Sequence, residues 1–404
     1  MRVLILSTSE RTGGAAIAAR RLMDALGRSG VDARMLVRDR QTDDPRVTSV
    51  RAGLWRKAWE RLCILLCNRL SMQGLWKVSL GNTGVDITRR REFREADVVM
   101  IHWVCQGFLS LSDVRRILAS GKPVVWTMHD QWPFTGVCHL LLGCERFTEG
   151  CRQCRQLRGS MAQRVFRHKQ RVYAEGGLTF VGCSQWITDL ARRSPLTTGH
   201  RVVSIPNPIP SDIFCPMPQD EARRALGLPQ EGRIILSAAC KVTDTLKGFQ
   251  YLQEALALVE KRVADDGQSP LHGAVLLVIG KHSDLHTSLP TIAIPYVSDE
   301  RRMAQYYAAA DVFVTGSVQE NLPNTIAEAM SCGTPCVGFR VGGIPEMIDH
   351  KENGYVARYR DAQDLAEGIE YCLGHDLREA AAHKAAATYG ERHVAPQYIA
   401  LYEN

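Results

Sequence analysis

Two glutamates, Glu320 and Glu328, stand eight residues apart in QENLPNTIAEAM, a little over two turns if the segment is helical. Pro323 lies where a first helical turn tolerates proline, which puts Glu320 ahead of the helix and Glu328 inside it. The backbone across Asn321, Leu322, Pro323, Asn324 and Thr325 would then form a positive helix end, with N–H groups from Leu322 to Thr325 facing a phosphate. A carboxylate within the helix can accept hydrogen bonds from ribose hydroxyls, and one ahead of it can reach a sugar. The same spacing also fits a blander arrangement, with one acid complementing the helix dipole and the other on a solvated face.

Further candidates follow apolar runs. Lys241 and Lys247 come after RIILSAA (233–239), and two cations in one strand-end loop can neutralise a departing diphosphate. Solvent-facing lysines are the alternative. Gly13 and Gly14, after the first apolar run, allow close backbone approach at a helix start. Their spacing is not G-x-G-x-x-G, which argues against a dinucleotide-dependent dehydrogenase. His129 closes PVVWTMH, a strand end where a cleft residue belongs and where a structural histidine fits as well.

Cys138, Cys144, Cys151 and Cys154 follow the spacing C-x5-C-x6-C-x2-C. Four thiols so placed can enclose a structural zinc that clips a long loop; free or redox-active thiols and disulfides are the other readings. The total of thirteen cysteines is odd, and the others are scattered through apolar segments, as in a chain kept reduced. Residues 51–77 place Trp55, Trp59, Leu62, Leu66 and Leu70 among Arg51, Arg56, Lys57, Arg61 and Arg69. That pattern suits a helix lying in an anionic membrane interface, or a helix facing the core.

These residues need strands and helices to hold them. Short apolar runs at 3–6, 96–103, 123–129, 179–184 and 201–206 alternate with helical patterns, and a second series begins at 233–239 and continues through 354–357. Unbroken apolar strands between helices predict parallel sheets covered on both faces. Five prolines within 205–218 break the two series apart. The expected organisation is α/β, two doubly wound domains: 1–206, a linker at 207–218, 219–385, and a C-terminal helix at 386–404 packing back on the first domain. In such sheets ligands bind outside the carboxyl ends of the strands, where the candidates fall.

Composition narrows the class. Hydrophobic residues at 45% and charged ones at 23% exclude a disordered or fibrous chain. No apolar run approaches the roughly 18 residues of a membrane span, and the N-terminus lacks the pattern of a signal peptide, so a soluble, cytoplasmic protein is expected. The net charge of +7 divides unevenly: residues 1–200 carry 32 Lys and Arg against 17 Asp and Glu, the remainder 18 against 26. A basic first half faces something anionic, or is a solvated surface.

The stretch DVFVTGSVQENLPNTIAEAMSCGTPCVGFRVGGIPEMID, followed by ENGYVA, resembles the family 4 retaining glycosyltransferases of the GT-B fold. The segment WTMHDQWPFTGVCHLLLGCERFTEGCRQCRQL is similar to the colanic acid biosynthesis type within that family, which carries HD-x-W-x-x-T-G-x-C and further cysteines. The resemblance implies two Rossmann-like domains facing a cleft and a nucleotide diphosphate sugar donor. Glu320 would contact the donor sugar, Glu328 the ribose, and His129 a sugar hydroxyl near the reacting centre. Lys247 and Lys241 would take the diphosphate; the family commonly has arginine at the first of these positions. The Gly13–Gly14 loop would lie near the transferred group. Catalysis would need no metal, configuration would be retained, and an undecaprenyl-diphosphate-linked saccharide would be the acceptor, reached at the inner face of the cell membrane. Two other readings stay open: another GT-B activity such as a nucleotide-sugar epimerase, and a zinc-containing nucleic-acid binder, which leaves the two glutamates unexplained.

Overall fold

The computed structural model describes residues 1–50, 53, 55–72, 74–265, 271, 273–281 and 287–403, with the side chains of 262–265 excepted. The chain divides into two compact units, Met1–Pro206 with Ala395–Asn404, and Asn207–Val394. In the first, seven strands form one parallel sheet: β1 (Arg2–Ser9), β2 (Asp32–Asp39), β3 (Val47–Ser49), β4 (Val98–Ile101), β5 (Val124–Met128), β6 (Leu178–Gly182) and β7 (Arg201–Ser204). Their order is β3-β2-β1-β4-β5-β6-β7, so the winding reverses between β1 and β4. The second unit holds β8 (Ile234–Lys241), β9 (Val275–Lys281), β10 (Thr291–Ile294), β11 (Val312–Thr315), β12 (Cys336–Phe339) and β13 (Gly354–Ala357) in the order β10-β9-β8-β11-β12-β13. Its winding reverses between β8 and β11, which pair with Val312 opposite Ile235.

Burial on both faces explains the unbroken apolar strands. In β11 Phe313 joins one core cluster, while Val312 and Val314 join another on the opposite face. Each fully buried aliphatic side chain contributes about 1.5–3 kcal/mol. Strands β2 and β3 were not foreseen. In β2 the charges of Asp32, Arg34 and Arg38 interrupt the apolar pattern, and β3 is three residues long.

The proline-rich segment is not a free tether. Ile209 and Phe214 lie in the second unit's core, and Ile209 exchanges backbone hydrogen bonds with Tyr389 and Glu391. The expected C-terminal helix is two helices, Arg378–Tyr389 and Glu391–Tyr402. The last of these places Tyr398 against Thr127 in the first unit's sheet.

Candidate functional site

In the second unit three strand-end loops converge at the reversal between β8 and β11. The loop after β8 carries Lys247, whose Nζ donates to Glu320 Oε1 at 2.6 Å. The Glu320 carboxylate lies directly beside this ammonium, and its charge and hydrogen bond outweigh burial and hold the lysine above its ordinary pKa. Val318 N–H donates to Leu246 O, tying the two loops together. Glycine makes the approach possible. A side chain at Gly248, where φ is +59°, would place its Cβ 1.9 Å from Gly316 O. The loop after β12 closes the third side: Gly343 N–H donates to Asn321 O at 2.8 Å, and a Cβ at Gly342 would lie 1.8 Å from Glu320 O.

The helix Asn324–Ser331 begins just beyond Glu320, with Pro323 as its N-cap and no capping side chain. Sequence spacing suggested N–H donors from Leu322 to Thr325; Pro323 has no N–H and contributes none. Asn324 is partly buried and its side-chain oxygen accepts from Asn207 Nδ2 at 3.1 Å. Glu328 is 7% exposed, not on a solvated face, and its Oε2 accepts from the Tyr307 hydroxyl at 2.9 Å. Lys241 is the last residue of β8 rather than part of the loop, and its side chain is exposed.

The first unit builds a separate constellation at the ends of β4, β5 and β6. His102, His129 and Cys183 each follow one of these strands directly. His102 Nδ1 meets His129 Nε2 at 2.8 Å, and His129 Nδ1 meets Cys183 Sγ at 3.4 Å. Burial pushes His129 down to about 4, partly opposed by Asp130, and it pushes His102 down as well. Both imidazoles are therefore neutral at pH 7. Beside them Asp130 accepts from Trp103 Nε1 (2.8 Å), Trp132 N–H (2.9 Å) and His139 Nδ1 (2.6 Å). Burial would raise this carboxyl, but His139 and these donors outweigh it and leave it below the usual range. Gly13, with φ +92°, caps the helix Gly14–Arg28 after β1, and the space beside its Cα is open. Gly13, Gly14 and His129 thus belong to one unit, and Lys241, Lys247, Glu320, Glu328 and the Asn324–Ser331 helix to the other.

Residues 12–213 match the model of a family described as Glycosyltransferase Family 4, and residues 233–375 match Glycosyl transferases group 1. The chain belongs to glycosyltransferase family 4. This glycosyltransferase is 26% identical over 386 residues to a D-inositol 3-phosphate glycosyltransferase of Pseudarthrobacter chlorophenolicus, across 89% of its own length and 81% of the relative's. It is 25% identical to the putative colanic acid biosynthesis glycosyl transferase WcaC of Escherichia coli K12, across 77% and 78%. A third match, 28% identical, is the N-acetyl-alpha-D-glucosaminyl L-malate synthase of Bacillus anthracis; it spans 32% of this chain and 36% of that protein. Among solved structures, sucrose-phosphate synthase (tll1590) from Thermosynechococcus elongatus superposes with a TM-score of 0.66 at 18% identity, covering 100% and 98% of the two chains. Anabaena Alr3699/HepE in complex with UDP-glucose gives 0.63 at 16%, covering 100% and 99%. At those identities the likeness is one of fold, the GT-B fold.

Much of the glycosyltransferase's HD-x-W-x-x-T-G-x-C stretch is scaffold. Trp132 is buried and donates from Nε1 to Ser79 O, while the buried Lys169 ammonium donates to Trp132 O and Thr135 O. A Cβ at Gly136 would lie 2.5 Å from Ala162 O. Among the described residues, no group of three or more His, Cys, Asp or Glu side chains is arranged to hold a metal ion, although Cys138 has Cys144, Cys151 and Cys154 as electrostatic neighbours. Cys151 Sγ accepts from Gly136 N–H at 3.1 Å. Sequence reading missed His102, Trp103, His139, Cys183 and Tyr307. The IHW at 101–103 and the Cys183 after TFVG, each at a strand end like His129, were the available signals for three of them.

Proposed function

We propose that this glycosyltransferase moves a sugar, with retention of configuration, from a nucleotide diphosphate donor to a hydroxyl of a lipid-linked saccharide in cell-surface polysaccharide assembly. One observation carries the reading: the Lys247–Glu320 pair stands beside the start of the helix that buries Glu328, at the reversal of the second sheet. Glu328 would accept from the ribose hydroxyls, the N–H groups at the helix start would face phosphate, and Glu320 would hold a sugar hydroxyl. The UDP-glucose bound to the fold neighbour Alr3699/HepE supports the donor class, and the WcaC relative supports the pathway.

In the transfer step the acceptor oxygen bonds to the sugar's anomeric carbon as the bond from that carbon to the diphosphate oxygen breaks on the same face. The acceptor proton passes to the departing diphosphate, so no separate base is needed. Lys247, released from Glu320 by the donor, would stabilise the charge that develops on the leaving group. His129 is the candidate contact in the first unit. Both its nitrogens are engaged, and the 3.4 Å contact to Cys183 is the weaker one to exchange for a sugar hydroxyl.

Thermal melting with UDP, GDP and other nucleotide diphosphates tests the donor class; a ligand at 100 times its Kd adds about 2.7 kcal/mol. Product analysis with and without a saccharide acceptor then tests transfer. No stabilisation by any nucleotide, or sugar conversion without an acceptor, would displace this reading.

A further inference from the structure

The helix Trp55–Cys67 packs Ile64, with Cys63, Leu65 and Cys67, against the core, yet it also carries an apolar stripe outward. Its buried residues are Glu60, Arg61 and Ile64, whereas Trp55, Trp59, Leu62 and Leu66 are 62%, 50%, 43% and 59% exposed. The chain after it continues the apolar surface with Leu70, Met72 and Trp76, each at least 64% exposed. Seven of the eleven exposed large hydrophobic residues among the described positions thus fall within 22 residues of sequence.

Polar contacts fix this orientation. Glu60 Oε1 accepts from Leu80 N–H (2.8 Å) and Gly81 N–H (2.9 Å), while its Oε2 pairs with Arg61 Nη2 (2.9 Å). Arg61 Nη1 donates to Leu75 O and Val78 O. Turning the tryptophans inward would carry Glu60 and Arg61 out to water and leave the Leu80 and Gly81 N–H groups and the Leu75 and Val78 carbonyls without these partners. The outward apolar face is therefore a built feature.

We infer that this face is a membrane-docking surface that seats the first unit on an anionic lipid surface. The charge pattern selects the occupant. Between residues 55 and 77 the only acidic residue is Glu60, which is buried, while Arg56, Lys57, Arg69 and Lys77 flank the apolar side chains. Tryptophan beside Lys and Arg, with no exposed carboxylate, matches the boundary between acyl chains and negatively charged headgroups. The helix has 13 residues, and no helix among the described residues is long and apolar enough to cross a membrane, so it would lie in the surface. Arg51, at the start of this stretch, lies outside the described residues. The inference deepens the proposed function by giving a lipid-borne acceptor a route to the enzyme, yet its observations are independent of the donor site.

The test is co-sedimentation of the full chain with vesicles of phosphatidylcholine alone or mixed with phosphatidylglycerol. It is run without donor or acceptor, so its failure leaves the transfer reading untouched. Binding to the anionic vesicles should exceed binding to the neutral ones at least tenfold, weaken with salt, and shift tryptophan emission to the blue. The double variant Trp55→Ala, Trp59→Ala should lose at least tenfold in vesicle affinity while circular dichroism and melting temperature stay unchanged. Lys57→Gln with Arg69→Gln, which leaves the apolar face intact, should weaken binding and reduce its salt dependence. No binding, equal binding to both vesicles, unchanged binding by the folded variants, or self-association that hides the tryptophans in the absence of lipid would each overturn the inference.

Discussion

The Lys247 ammonium and the Glu320 carboxylate, 73 residues apart in sequence, meet at 2.6 Å. Each is the other's partner before any substrate arrives. A donor sugar diphosphate that takes the ammonium from Glu320 replaces one anion with another and frees the carboxylate for a hydroxyl. Under the proposed function this exchange would make the two residues a coupled pair. Lys247→Met should lower kcat by about 100- to 1000-fold, the typical loss for one stabiliser of transition-state charge. Glu320→Gln should lower kcat while nucleotide affinity stays within a few-fold, and the double variant should lose less than the sum. Steady-state kinetics with calorimetry on all three proteins checks this; wild-type kinetics in both single variants removes the assignment.

Glu328 and Tyr307 are joined by a buried hydrogen bond of 2.9 Å. Glu328→Gln should weaken nucleotide diphosphate binding roughly tenfold, about 1.4 kcal/mol, because an amide is a poorer acceptor for two ribose hydroxyls. Tyr307→Phe should cost about 1 kcal/mol of stability with a smaller change in affinity. Calorimetric titration and urea unfolding separate the two effects.

Gly342 adopts φ +59° with Glu320 O pressed against the position a Cβ would take. Gly342→Ala should cost at least about 1–2 kcal/mol from the left-handed backbone alone. The added methyl must also displace the Glu320 carbonyl. Turnover should therefore fall further than nucleotide affinity, and an unaltered kcat in a folded variant would show that the loop contact does not position Glu320.

His129 gives a pH prediction with a definite sign. Its folded value of about 4 lies below the ordinary 6.5, so between these pH values the unfolded chain binds a proton that the folded chain does not. Stability contributed by neutral His129 is complete above about 6.5 and is lost as the pH falls toward 4. His102, also lowered by burial, acts in the same direction. Urea midpoints from pH 7.5 to 4 should decline, and His129→Asn should flatten that decline.

The neighbouring Cys138 thiol, aided by backbone N–H donors and opposed by burial, holds Cys154 below the ordinary thiol pKa. The partly exposed Cys154 should thus be alkylated faster at pH 7 than Cys138 or Cys151. Cys138→Ala removes the S–H donor and should slow Cys154 alkylation. Mass spectrometry of iodoacetamide-treated protein gives both rates, and equal rates at the three positions would contradict the pairing.

By itself the sequence determined the architecture and the position of the proposed donor-site residues along it. Apolar runs such as VLLVIG and DVFVTGS are long enough and flanked clearly enough that burial on both faces is their stable outcome, and Glu320, Glu328 and Lys247 are local in their relation to strand ends and helix starts. Pairing across the chain was decided only in the tertiary structure. That Lys247 binds Glu320, that His129 is occupied by His102 and Cys183, and that Tyr307 reaches Glu328 depend on which strands become neighbours, and strand order carries no local signature. The cysteines show the limit of spacing: four thiols in seventeen residues leave zinc, free thiols and disulfides open, and only the tertiary structure sets Cys151 Sγ against the Gly136 N–H. The helix at Trp55 shows it most plainly. Its 3.6-residue periodicity marks an apolar stripe, and periodicity alone leaves that stripe facing either the core or a membrane interface. The buried backbone N–H groups of Leu80 and Gly81 decide between the two, because a carboxylate satisfies them and a tryptophan cannot.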